Sequence, residues 1–177
     1  MITKENNNKR SWYVVYVRSR HEKNVYSALL DKGIDASLPM KTVVREWSDR
    51  KKKVQLPLFR GYVFVNIDLK IDNLIVLKTL GVVKFIGIRK VPSRIPDEQI
   101  HWMHMLVAES ATVRAEKEFP LGQRVRVMIG PFKGIKGVVK RVGSRSRLVV
   151  LIESIMQAVS IEINPNYLEK IKKQTIL

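Results

Sequence analysis

The stretch GQRVRVMIGPFKGIKGVVKRV, residues 122–142, decides the fold of the C-terminal part of the chain. In its first half Val125 and Val127 alternate with Arg124 and Arg126, which is typical of a strand with one buried face. Its last residues, VVKRV, are again strand-like. The stretch therefore predicts two short strands joined by a glycine-rich turn.

The turn itself, GPFKGIKG at residues 130–137, has an alternative interpretation as a phosphate-binding loop of an enzyme. Such a loop has the pattern G-x-x-x-x-G-K-[ST] and precedes a helix whose N-terminus faces the phosphate. No Ser or Thr follows Lys136, and the next residues favour a strand. The glycines instead suit a tight turn with positive φ and close backbone approach. Since no Ser/His/Asp or paired-carboxylate arrangement occurs elsewhere, we predict that the protein is not an enzyme.

Further strand-like runs follow this turn at short spacing, among them RLVVLI and QAVSIEI. Short strands separated by Gly, Pro, Ser and Arg turns are typical of a small barrel. We therefore predict a C-terminal β-barrel domain at residues 119–177. The preceding segment, residues 110–118, has no period and little apolar content, and is predicted to be a linker.

The N-terminal part mixes strands and helices. SWYVVYVRSR favours a strand, and HEKNVYSALLDKG places Val25 and Leu29 on one helical face before Gly33. Two strand-like runs surround SDRKKK, a helix is predicted near DNLIVLKTLG, and another begins at Pro96. This order implies helices on a mostly antiparallel sheet, hence an α+β domain at residues 11–109 after a disordered N-terminus at 1–10.

Charge is the strongest feature of the composition. The 177 residues contain 33 Lys and Arg against 16 Asp and Glu, a net charge of +17. Such a surplus favours a polyanionic partner such as nucleic acid, with a merely solvated basic surface as the alternative. The predicted hairpin tip concentrates this charge, and we expect it to approach nucleic acid through Arg50, Lys51, Lys52 and Lys53.

Cofactors and membranes are not expected. The chain has no cysteine, so disulfides and thiolate metal sites are excluded. His101 and His104 are three residues apart, but we predict no metal site, because His104 is expected on the buried face of its helix. There is no apolar signal region and no apolar run long enough to cross a bilayer, so a soluble cytoplasmic protein is expected.

Four aromatic residues would lie close together if their strands pair. They are either core residues or an apolar patch that marks a partner site. These residues are Tyr16, Phe59, Tyr62 and Phe64.

Several motifs, taken in order, resemble the NusG family of transcription elongation factors. WYVVYVRSRHEKNV, PLFRGYVFV, LGVVKFIG and the IP before the last helix resemble its N-terminal domain. Residues 122–142 resemble the KOW motif that begins its C-terminal barrel. RHEKNV and WSDRKKK are most similar to the specialised UpxY-type paralogues, which, like RfaH and LoaP, act as antiterminators on chosen operons.

The resemblance implies a function for particular residues. It implies that the four aromatic residues contact the clamp helices of the largest RNA polymerase subunit and so favour processive elongation. It implies that the turn before the first helix touches the non-template DNA strand, through Arg18, Arg20, His21 and Lys23. On the barrel, Phe132 and Ile155 match the surface that binds a ribosomal protein or Rho; Rho is not favoured here. The alternative is a ribosome-associated or RNA-binding KOW protein, and in either case we expect a monomer.

Overall fold

The computed structural model describes residues 10–47, 50–109, 114–116, 122–130, 132–142, 145–152 and 157–171. Its strands, in chain order, are β1 (Ser11–Val17), β2 (Asp35–Ser37), β3 (Met40–Glu46), β4 (Lys51–Pro57), β5 (Tyr62–Ile67), β6 (Val82–Phe85), β7 (Gly87–Ile88), β8 (Val91–Pro92), β9 (Arg114–Glu116), β10 (Arg124–Val127), β11 (Lys136–Val142), β12 (Arg145–Ile152), β13 (Gln157–Glu162) and β14 (Leu168–Lys170). Its helices are α1 (Glu22–Asp31), α2 (Asn73–Leu77) and α3 (Asp97–Glu109), with a short 3-10 helix at Pro165–Tyr167.

The chain divides into two compact units. The first comprises Met1–Pro39 and Phe59–Ile100, and the second comprises Met40–Leu58 and His101–Leu177. The β3–β4 ribbon and most of α3 therefore belong to the second unit. Domain boundaries at 11–109 and 119–177 along the chain stay a prediction.

A four-stranded sheet with the order β2-β5-β1-β6 forms the centre of the first unit. All of its pairings are antiparallel, in agreement with the predicted α+β class. One face of this sheet packs against α1 and α2, because alternate residues of β1 and β5 are apolar. The buried cluster consists of Tyr13, Val15, Val17, Val25, Leu29, Ile34, Val63, Val65, Ile67 and Val76.

Helix α1 follows the predicted pattern. Val25 and Leu29, one turn apart, are both buried against the sheet, and burying a side chain of this size contributes about 1.5–3 kcal/mol. The helix stops where Gly33 takes a φ of 74°, a left-handed conformation that only glycine adopts without strain.

The second unit contains a six-stranded sheet with the order β14-β10-β11-β12-β13-β9. The predicted glycine turn joins β10 to β11: Gly130 has φ 84° and Gly134 has φ 91°. Gly137 serves close packing, since a Cβ there would collide with the carbonyl oxygen of Val149 on β12. The turn prediction is therefore confirmed.

One short strand lies within the predicted linker at residues 110–118. Arg114–Glu116 form β9, which pairs antiparallel with β13. The apolar content of a segment does not reveal such pairing, because an edge strand is held mainly by main-chain hydrogen bonds.

The buried face of α3 agrees with the sequence pattern except at His104. Ile100, Met103 and Leu106 are buried, whereas His104 is exposed. The prediction that His104 is a packed core residue is wrong. The buried stripe runs at a spacing of three residues, and Leu106, which completes it, points about 200° around the helix from His104.

Candidate functional site

Three of the four predicted aromatic residues, Tyr16, Tyr62 and Phe64, lie on one face of the four-stranded sheet. Strand register places Tyr16 opposite Tyr62 and Val14 opposite Phe64. Since side chains alternate along a strand, the side chains of these two residue pairs point away from the sheet face that packs on α1. The Tyr16 and Tyr62 rings meet edge to face with centroids 5.8 Å apart, a favoured aromatic geometry.

Burial divides the four aromatic residues into two pairs. Phe59 and Phe64 also meet edge to face, at 6.1 Å, but they are 3% and 0% exposed. Tyr16 is 40% exposed and Tyr62 is half-buried. Phe59 and Phe64 therefore lie in the core, which is one of the two alternatives that the sequence left open for the four aromatic residues. The surface that remains is the Tyr16–Tyr62 pair, called the tyrosine pair below.

The turn before β5 fixes the position of Tyr16. Gly61 has φ 80°, and a Cβ there would lie 3.0 Å from Tyr16 Cε2. The Gly61 amide donates to Glu22 Oε1 at 2.8 Å, and the Gly61 carbonyl accepts from the Val17 amide at 2.8 Å. Sequence reasoning missed Glu22 and Gly61; the available signal was a glycine directly before a predicted strand.

Three cations of the predicted DNA contact surround the turn between β1 and α1. Arg18, Arg20 and Lys23 are exposed, and His21 is half-buried. Arg20 has a φ of 64°, which turns the chain sharply into α1. Nδ1 of His21 lies 3.0 Å from the carbonyl oxygen of Ser19. The structure thus brings all four predicted residues to one turn, called the basic turn below.

The basic turn and the tyrosine pair lie at the same end of the sheet. The Arg18 amide donates to the Gly81 carbonyl at 2.8 Å, in the loop that leads into β6. Gly81 packs so closely that a Cβ would lie 2.8 Å from Val25 Cγ2 and 3.4 Å from His21 Cβ. One more cation, Lys84 of β6, stands opposite Tyr16. Aromatic rings and cations are therefore neighbours at this end of the first unit.

The other predicted basic cluster lies in the second unit, on the β3–β4 ribbon. Lys51, Lys52 and Lys53 are exposed residues of β4, and Arg50 precedes them. A hairpin forms at this basic segment, but not between the two runs that the sequence predicted, residues 42–46 and 62–67. β3 pairs with β4, whereas residues 62–67 form β5, which pairs with β1 and β2. Lys51, Lys52 and Lys53 therefore lie on a strand and not in a tip. Because residues alternate, Lys52 faces the side opposite to Lys51 and Lys53, so both faces of the ribbon are cationic.

The structure describes only one of the two residues predicted to bind a partner of the C-terminal domain. Phe132 is half-buried in the glycine turn, where its carbonyl accepts from the Ile135 amide at 3.1 Å. Ile155 lies outside the described residues. Among the described residues no three potential metal ligands come together. None of the helices in these ranges is long and apolar enough to cross a membrane.

Comparison with known proteins identifies the family. A family model described as "Transcription termination factor nusG" matches residues 10–104, more than half of the chain. The chain belongs to the NusG family. This family comprises transcription factors and not enzymes, as the sequence predicted. NusG-family factors work with RNA polymerase.

Individual NusG proteins match almost the whole chain. The transcription termination/antitermination protein NusG of Borreliella burgdorferi is 28% identical, over 92% of this chain and 99% of its own length. The protein of the same name from Pseudomonas aeruginosa is 29% identical, with the same coverage of 92% and 99%. A solved structure described as "Domain interaction in Thermotoga maritima NusG" matches with a TM-score of 0.54 at 24% identity, covering 92% of this chain and 98% of its own. That likeness supports the fold.

Proposed function

We propose that the protein binds RNA polymerase and promotes processive elongation and antitermination on selected operons of the polysaccharide-biosynthesis type. The tyrosine pair contacts the clamp helices of the largest polymerase subunit. The observation that carries this proposal is the exposure of Tyr16 beside Tyr62 on the sheet face where Val14 and Phe64 are buried. Buried aromatic anchors dominate the free energy of many protein interfaces, and tyrosine is among the commonest of them.

The surroundings of the tyrosine pair suit a contact with a helical partner. Both tyrosines lie on paired strands, and the Gly61 turn holds the Tyr16 ring, so little side-chain entropy is lost on binding. Phe59 and Phe64 support the pair from the core and do not touch the partner.

The basic turn supports a second contact, with the exposed non-template DNA strand. Arg18, Arg20 and Lys23 point to solvent next to the tyrosine pair. Cations of this kind follow the phosphates of a single strand, and His21 or an arginine is suited to stack on an unpaired base. The action on selected operons rests on the similarity of RHEKNV and WSDRKKK to specialised paralogues. We infer a monomeric, cytoplasmic protein.

Reconstituted elongation complexes test the proposal. Purified RNA polymerase, stalled on a DNA template, is mixed with the protein, and binding and pause lifetimes are both measured. We expect stoichiometric binding and shorter pauses. A protein that neither joins the complex nor changes pausing would contradict the proposed function.

A second candidate function is binding to RNA or the ribosome through the C-terminal sheet. It is favoured by a groove of about 410 Å³ in which Arg124, Arg126 and Lys136 surround the apolar side chains of Val138 and Leu151. Cosedimentation with ribosomes, with and without Arg124→Ala and Arg126→Ala, tests it. Loss of binding in the double variant would favour this second function; no cosedimentation of the unaltered protein would remove it.

A further inference from the structure

A groove of about 550 Å³ runs along the outer edge of the first unit's sheet. One wall is β6 with the residues that follow it, Val83 to Gly87, and the other includes Asn73 and Leu77 of α2. Lys90 and Pro92 line the end of the groove near the β7–β8 hairpin. The tyrosine pair lies on β1 and β5 and does not line this groove, although Lys84, which does, stands opposite Tyr16.

The backbone of β6 is open toward this groove. β6 is the last strand of the sheet and pairs with β1 on one side only. The Ile86 amide donates to the Val14 carbonyl, so the pair Val14–Ile86 is a hydrogen-bonded one. In an antiparallel ladder the next pair, Val15–Phe85, is then not hydrogen-bonded, and the amide and carbonyl of Phe85 point outward. The carbonyl of Val83 points the same way, because it lies trans to the Lys84 amide in one peptide group; the register shift between β1 and β6 occurs just beyond, at Val83. The outer side of β6 thus leaves a template for another strand.

Apolar side chains are unusually exposed around the groove. Val83 is half exposed, and Ile88 and Val91 of the adjoining hairpin are 75% and 67% exposed. On α2, Leu74 is also largely exposed. Several exposed apolar side chains near one groove of a strongly charged protein indicate an interaction site.

Cations border the apolar surface. Lys84 and Lys90 line the groove, and neither makes an ion pair within the part of the chain that the structure describes. Lys84 lies on the sheet face opposite to Phe85, because the two are consecutive in β6. A strand added beside β6 would thus meet apolar groups on one face and a lysine on the other.

We propose that the edge of β6 binds an extended segment of another protein in which apolar residues alternate with Asp or Glu. The segment adds to the sheet as a fifth strand: its backbone pairs with Val83 and Phe85, its apolar side chains enter the groove, and its carboxylates face Lys84 and Lys90. Main-chain pairing supplies affinity in this mode, and alternate side chains supply specificity.

The positive charge around β6 argues against binding of a second copy of this chain or of its own terminal stretches at this edge. Residues 70–94 carry six Lys and Arg side chains and a single carboxylate, Asp72, which already pairs with Arg10 at 3.7 Å. Edge-to-edge pairing of two copies would therefore oppose like charges. The terminal stretches 1–9 and 172–177 carry one carboxylate side chain and none, respectively. The partner is an acidic segment of a different chain.

A synthetic peptide tests the site directly. The probe is the capped hexapeptide acetyl-Val-Glu-Val-Glu-Val-Glu-amide, titrated into the isotope-labelled full-length protein and followed by NMR. We expect the largest amide shifts, and slowed hydrogen exchange, at Val83 and Phe85. The same peptide with alternate backbone amides methylated on the pairing edge should not bind, because it cannot form the ladder.

A second experiment reverses the charge of the two lysines that line the groove. Lys84→Glu with Lys90→Glu should weaken binding of the glutamate peptide about tenfold and improve binding of the matching valine–lysine peptide. Lys70→Glu with Lys78→Glu makes the same change in net charge outside the groove and should leave both affinities nearly unchanged. If the peptide leaves Val83 and Phe85 unaffected, or if methylation makes no difference, the lysines merely guard an edge against self-association and the proposal is wrong.

Discussion

The buried carboxylate of Glu22 accepts a hydrogen bond from the Gly61 amide at 2.8 Å, which ties the first turn of α1 to the turn before β5. The carbonyl of the same glycine accepts from Val17, one residue after Tyr16. The two hydrogen bonds connect α1, β1 and β5 directly beside the tyrosine pair. Glu22 is therefore a positioning residue for the proposed polymerase contact.

Removal of this acceptor should destabilise the first unit. Glu22→Ala leaves the buried Gly61 amide without a partner, at a cost of about 1–3 kcal/mol in the free energy of unfolding. Glu22→Gln keeps a side-chain oxygen at the same distance and should lose much less. Urea unfolding and hydrogen exchange of the Gly61 amide measure both effects; equal losses in the two variants would show that the bond is unimportant.

Alanine substitutions at two glycines with similar positive φ angles distinguish the cost of backbone strain from the cost of a steric clash. Gly33→Ala meets no atom within 4 Å, so it should cost only the strain of a left-handed residue, about 1–2 kcal/mol. Gly61→Ala has the same strain and in addition approaches Tyr16 Cε2 to 3.0 Å. We expect Gly61→Ala to be the more destabilising and to weaken polymerase binding as well. Thermal unfolding and polymerase-binding assays of both variants test this expectation. Equal losses of stability and of binding in the two variants would contradict the close contact between Gly61 and the Tyr16 ring.

The tyrosine pair offers the most direct test of the polymerase contact. Tyr16→Ala should weaken binding to isolated clamp helices by about 2 kcal/mol or more, roughly 30-fold, with the melting temperature largely kept. Tyr167→Ala is a matched control, because that side chain is 39% exposed and lies in the other unit. A Tyr16→Ala protein that melts early yet binds normally would identify Tyr16 as a core residue only.

Salt dependence distinguishes the basic turn from a general positive charge. Arg18→Ala with Lys23→Ala should reduce the slope of log affinity for single-stranded DNA against log salt by about 1.4. Lys70→Ala with Lys78→Ala removes the same charge from another part of the first unit and should change the slope less. Equal reductions would mean that the turn makes no localised contact with DNA.

We expect the lysines of the β3–β4 ribbon to bind nucleic acid of the elongation complex through electrostatic attraction. Replacing Lys51, Lys52 and Lys53 together with alanine should weaken binding of the complex and flatten its salt dependence. Glu46→Gln, which removes the carboxylate 3.3 Å from Lys51 Nζ, should not weaken it. An unchanged salt slope in the triple variant would leave the ribbon as a solvated surface.

Much of the fold follows from local patterns in the sequence. The alternation around Val125 and Val127, the helical spacing of Val25 and Leu29, and the glycine turn at Gly130 and Gly134 each depend on residues close together in the chain. Short strands were harder to predict. β7, β8 and β9 have two or three residues each, too few to establish a period.

The candidate site was only half predictable, because exposure depends on tertiary packing. Tyr62 and Phe64 are two residues apart and share a face, yet one is half exposed and the other fully buried. Alternation identifies the face of a strand but not how far along it the covering layer extends. The Glu22–Gly61 hydrogen bond spans 39 residues, and no local pattern indicates it.

The strand order β5-β1-β6 has a thermodynamic consequence for the two proposed surfaces. Tyr16 lies on β1, the immediate neighbour of β6. Strands are spaced about 4.8 Å apart, so a segment added to β6 would run roughly 10 Å from the backbone of Tyr16. We expect two partners held that close together to influence each other's binding. Occupation of the sheet edge would raise or lower the affinity of the tyrosine pair for polymerase, and by linkage polymerase would change the affinity of the edge by the same factor.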